Sequence, residues 1–132
     1  MKVKCTQCGY KIAAIWDLFF NKRFPFIDTG SGGSVGAYLS SQEKLLAMIN
    51  DDTQVVPGHG PIARRSDLMA VHAMIRATHK SVIEDIGAGL SLSSIQEKGL
   101  DDMYQSFAWA FISEAKWIET LYWDVIESNA VQ

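Results

Sequence analysis

The sequence predicts a mixed α/β chain, rich in helix, with about two to three short strands. Three observations carry this. Residues 11–20, KIAAIWDLFF, form an apolar run after Lys11 with one further charge, Asp17, near its end. Residues 53–56, TQVV, are a short, largely β-branched run closed by Pro57-Gly58-His59-Gly60-Pro61. Apolar residues then recur at helical spacing over 35–49 and 66–86. Short continuous apolar runs fit buried strands, and recurrence at i, i+3, i+4 fits amphipathic helices.

Each element follows in order. Residues 1–10 are basic and polar and hold Cys5-Thr6-Gln7-Cys8-Gly9, which sets them apart from a single domain over 11–128. Residues 11–20 read as a buried strand. Phe24-Pro25-Phe26-Ile27 is apolar but broken by proline, so it reads as loop or edge. Asp28-Thr29-Gly30-Ser31-Gly32-Gly33-Ser34 is a turn-rich loop ending in an N-cap at Ser34. The first helix is expected from about Val35 to Ile49, with Val35, Tyr38, Leu39, Leu45, Leu46 and Ile49 facing inward. Asn50-Asp51-Asp52 ends it, and Thr53 to Val56 is a short strand.

The second helix should run from near Ser66 to about Ile86, with Leu68, Val71, Ile75, Thr78, Val82 and Ile86 as its inward stripe. Gly87 and Gly89 stop it. Ser91 caps a short helix through about Lys98, and Gly99 ends it. Residues 101–111 are aromatic-rich and ambiguous, with a helix from Asp102 as one option. Ser113 caps the last helix, whose buried face uses Trp117, Ile118, Leu121, Tyr122 and Val125.

Composition bounds the function. At 132 residues, 48% hydrophobic, with six Phe, four Tyr and four Trp, the chain has enough apolar material for one domain with a real core. A net charge of −3 does not suit a nucleic-acid partner. The charge is uneven, with basic residues up to Arg23 and acids dominating from Glu84 onward. The acidic end reads as solvated helix faces, with a docking surface as the alternative. The first residues lack the apolar run of a secretory signal, and no stretch reaches the roughly 18 apolar residues of a membrane span. A soluble, cytoplasmic protein without membrane contact is the expectation.

Several residues are candidates for chemistry. Asp17 at a strand end and His59 between two glycines are residue types that bind zinc, although two ligands do not make a tight site. Taken alone, Pro-Gly-His-Gly-Pro also fits a turn with a partly exposed histidine. His72 and His79 share a helix face but lie about 10 Å apart along its axis, too far for one metal, so they read as surface or boundary residues. Cys5-x-x-Cys8 fits incidental thiols, half of a zinc knuckle completed within or between chains, or a redox pair. Ser31-Gly32-Gly33-Ser34 lacks the lysine and spacing of a P-loop; it is a structural turn or an anion site at a helix N-terminus.

Asp17-Leu18-Phe19-Phe20-Asn21, Arg23-Phe24-Pro25-Phe26-Ile27-Asp28, Ser31-Gly32-Gly33-Ser34, Asp52-Thr53 through Pro61, and Ser113-Glu114 through Tyr122 occur in that order. Over about Lys11 to Ile126 this resembles the C-terminal part of a metallo-β-lactamase-fold hydrolase. The resemblance implies a partial αβ/βα sandwich. It implies a two-zinc site in which Asp17 matches the bridging aspartate and His59 the last histidine ligand. In that family the metals activate a hydroxide against an amide, ester, lactone or thioester carbonyl, or a phosphorus centre. The family's main motif, His-x-His-x-Asp-His, is absent from this chain. Trp16 stands where the family typically has glycine, and Ala14 where it often has a polar residue.

These readings leave three functions. The first is a truncated metallo-β-lactamase-like protein without hydrolase activity of its own, acting as a folded binding or assembly module. The second is a zinc hydrolase whose missing ligands come from a partner chain. The third is a small zinc module built on Cys5 and Cys8. Two strands make a poor sheet with exposed edges, so completion as a homodimer or higher homo-oligomer is expected. Trp109, Trp117 and Trp123 are candidate interface residues, and a helical bundle over a small hairpin is the alternative architecture.

Overall fold

A computed structural model describes residues 2–4 and 12–130, with the side chains of residues 2–4, 12–17 and 31 outside that description. The chain is mixed α/β and helix-rich. Its strands are β1 (Lys2–Lys4), β2 (Ile12–Phe20) and β3 (Gln54–His59). Its α-helices are α1 (Val35–Met48), α2 (Arg65–Gly87), α3 (Leu92–Lys98) and α4 (Glu114–Ala130), with 3-10 turns at Thr29–Ser31 and Asp102–Phe107.

The sheet order is β1-β2-β3. β1 pairs antiparallel with β2, and β2 pairs parallel with β3. A parallel pair needs a crossover, which α1 supplies. The two strands that carry Asp17 and His59 therefore do not form a hairpin with each other. Between Ile15↔Pro57 and Phe20↔His59 the register shifts, so the β2 segment holding Asp17 bulges against β3.

β3 runs three residues past the expected end at Val56, through Pro57 and Gly58 to His59. Among the described residues only an isolated bridge from Val55 to Ala63 lies beyond it, so β3 is nearly an edge strand there, where proline is tolerated. Along β3 only Val55 and Pro57 are fully buried, and the alternating residues are less covered. One face of this strand packs on the core and the other is only partly covered.

Helix boundaries follow their caps. Ser34 Oγ accepts from Ala37 N, Ser91 Oγ from Ser94 N, and Ser113 Oγ from Lys116 N. Gly99 ends α3 at φ +72°. The core joins β2, β3 and all four α-helices through Phe19, Phe24, Val35, Leu45, Val55, Leu68, Ile75, Ile95, Trp117 and Leu121. Trp117 is fully buried in this core, so it is not an interface residue. Tyr122 is only partly buried on α4, where Asp124 turns inward instead.

Two polar links run through the helices. Gln42, which apolar periodicity alone passes over, is fully buried on α1. Its Nε2 donates to Leu18 O at 2.7 Å and its Oε1 lies 3.1 Å from His72 Nδ1. Asp124 accepts from Val35 N at 2.9 Å and lies 3.1 Å from His79 Nε2. A carboxylate at a helix N-terminus satisfies an orphan N–H and the helix dipole together. The anion at the start of α1 is thus the chain's own Asp124, and the Gly-rich segment before it is a turn. Gly33 makes this turn possible, since a Cβ there would sit 2.6 Å from Asp28 O.

Candidate functional site

The end of β2 and the end of β3 meet at His59. Asn21 N donates to His59 O at 3.0 Å, and Asn21 Nδ2 donates to Pro61 O at 3.0 Å. Gly60 completes the turn at φ +98°, and a Cβ on it would lie 2.8 Å from Asn21 O. Glycine is required there for both conformation and space. The chain then returns to β3 through paired backbone bonds between Val55 and Ala63.

The imidazole of His59 is exposed and lies flat on Phe20, with ring centroids 5.2 Å apart and an interplanar angle of 6°. Trp109 packs against the same imidazole at 5.1 Å. Trp109 is itself fixed, since its Nε1 donates to Phe24 O at 2.9 Å and its backbone N to Ile112 O at 3.0 Å. Phe111 stands edge-on to Trp109 at 5.1 Å, and the Arg23 guanidinium lies 5.0 Å from the Trp109 ring centre. No hydrogen bond engages the ring nitrogens of His59 among the described residues.

Asp17 lies in the bulged part of β2, three residues before Phe20, the backbone partner of His59. Its side chain lies outside the description, and Cys5 and Cys8 lie outside the described residues. Among the described residues, no group of three or more His, Cys, Asp or Glu is placed to hold a metal.

The other two histidines are engaged elsewhere. His72 is buried, not at the surface or its boundary, because Gln42 meets its Nδ1 inside the helix pair. Its Nε2 is 3.4 Å from Glu43 Oε1. His79 is half-buried against Asp124. Burial pushes the His72 imidazole below its ordinary value of 6.5; Glu43 opposes this and Arg76 adds to it.

The sign of the resulting pH dependence is fixed. Where the folded histidine titrates below the unfolded one, the unfolded chain takes up its proton first as pH falls. The His72 contribution is complete above about pH 6.5, is lost as pH falls below that value, and levels off beneath the folded pKa. Urea midpoints measured from about pH 7.5 down to about pH 5 should fall less steeply for His72→Gln than for the parent. Equal slopes would show that His72 does not titrate out of register with the unfolded chain.

Sequence reasoning singled out His59 but not its setting. Phe20 and Asn21 lie within the matched motif, and their roles depend on strand register. Trp109 and Phe111 lie about fifty residues downstream, and no local signal ties them to His59. No family model, no curated protein and no solved structure matches this chain. No helix among the described residues is long and apolar enough to cross a membrane.

Proposed function

We propose that this chain is a metallo-β-lactamase-like protein that acts as a folded binding or assembly module without hydrolase activity of its own. The observation that carries this reading is the flat stack of His59 on Phe20, closed from a second side by Trp109. The imidazole is used as an aromatic wall. The parallel β2–β3 pair supports the ancestry, because it sets the strand of Asp17 beside the strand ending at His59. The partly covered face of β3 supports association with a second copy, which would complete the sheet's packing.

A second reading rests on one further observation. Among the described residues no hydrogen bond engages the ring nitrogens of His59, so a partner chain bringing further ligands would make a zinc hydrolase. Metal content and turnover separate the readings. The purified protein should carry less than about 0.1 equivalent of zinc and hydrolyse no ester, lactone, amide or thioester above background. Stoichiometric zinc lost on His59→Ala, with turnover lost alongside it, would replace the proposal by the second reading. Zinc lost only on changing Cys5 or Cys8 would move the metal to the N-terminal segment.

A further inference from the structure

The aromatic shelf at His59 is one wall of a cavity of about 430 Å3. Phe20, Phe26, Trp109 and Phe111 line it with rings, His59 adds its imidazole, and Ile112 and Lys116 complete the lining. Phe26 is 59% exposed and Phe111 77% exposed, a large apolar surface to leave in water. Among the described residues no carboxylate lines the cavity, and Arg23 lies over Trp109 beside it.

We propose that this cavity is a binding site for a small planar aromatic anion. The reasoning is geometric and electrostatic. The volume falls in the range of small-molecule sites, which are mostly apolar with a few placed polar groups. The packed ring of Phe20 and the exposed rings of Phe26 and Phe111 offer stacked and edge-on contacts to a flat ligand, and the hydrogen bonds of Trp109 hold its indole in place before any ligand arrives. The nitrogens of His59, unengaged among the described residues, can donate to or accept from a polar substituent. Lys116 supplies the positive charge, and its only ion pair among the described residues, with Glu119 at 3.2 Å, is solvent-exposed and costs little to exchange for a ligand carboxylate. A neutral or cationic ligand would leave that charge unused.

The inference gives the binding module of the proposed function its ligand class, and it rests on His59 being a wall of the site and not a metal ligand. The test is a titration of the EDTA-treated protein with 2-naphthoate, followed by Trp fluorescence and by heteronuclear NMR. Its neutral isostere 2-naphthamide and the non-aromatic anion cyclohexanecarboxylate are run in parallel. 2-Naphthoate should saturate with a dissociation constant of about 1 mM or tighter, the level that ordinary ligand efficiency allows a compound of this size. Phe111→Ala, which removes only an exposed ring, should weaken it about fivefold to tenfold. Lys116→Gln should narrow the preference for naphthoate over naphthamide by about threefold.

Absence of saturation, or equal binding by cyclohexanecarboxylate, would overturn the proposal. So would a dimer that Phe111→Asp dissociates while naphthoate fails to bind, because the cavity would then be a contact between copies. Naphthoate binding that requires added zinc and disappears in His59→Ala would overturn both this inference and the proposed function. Failure to bind without any effect of zinc would overturn the inference alone.

Discussion

Trp117→Ala should lower the unfolding free energy by about 3–5 kcal/mol, the range for deleting a large aromatic from a core. Trp117 is fully buried, stacks on Phe24 with ring centroids 5.7 Å apart, and donates from Nε1 to Thr78 Oγ1 at 3.1 Å. Through these contacts α4 is pinned to α2 and to the segment after β2. Truncation leaves a cavity among residues that are themselves close-packed, so little of it can collapse. A domain of this size has a total stability of about 5–15 kcal/mol, so the variant should lie near the edge of folding. Trp117→Phe keeps the ring stack and loses the indole N–H, and should cost about 1–2 kcal/mol. Urea denaturation at constant m-value reads both. A loss below about 1 kcal/mol for Trp117→Ala would show that the tryptophan does not fill the core.

Asp124→Ala should cost about 2–4 kcal/mol, because it removes a partner from two elements at once. Val35 is fully buried, so its N–H loses its acceptor with no water to replace it. The positive end of α1 loses its counter-charge, and His79 loses its contact between α2 and α4. Asp124→Asn retains an acceptor for Val35 N but not the charge, and should cost about 1–2 kcal/mol. Unfolding curves of both variants give the comparison. An equal and small loss for the two would show that neither the hydrogen bond nor the charge contributes to holding α1 in place.

These residues show how much can be read without coordinates. The helix starts at Val35, Leu92 and Glu114 were legible because Ser34, Ser91 and Ser113 cap them through local bonds that sequence spacing specifies. The apolar stripes of α1, α2 and α4 were legible for the same kind of reason: helical period fixes which residues share a face. Buried polar residues were harder. Gln42 and His72 break the apolar stripe, and only the contact between their helices shows that each satisfies the other. Asp124 belongs by sequence to the acidic C-terminal part, and only the packing of α4 against the start of α1 makes it the acceptor for Val35 N.

The same division holds at His59. By itself the sequence determined that a glycine-framed histidine follows a β-branched run, and that another strand with an acid near its end precedes it. Those properties are local, set by Gly60's positive φ and by β-branched and apolar runs. Tertiary structure alone decided that the two strands run parallel, that Asn21 clamps the turn, and that Phe20, Trp109 and Phe111 surround the imidazole. Ring contacts of this kind join residues far apart in the chain. Their energy comes from removing apolar surface from water, which depends on area and proximity and carries no signature in local sequence.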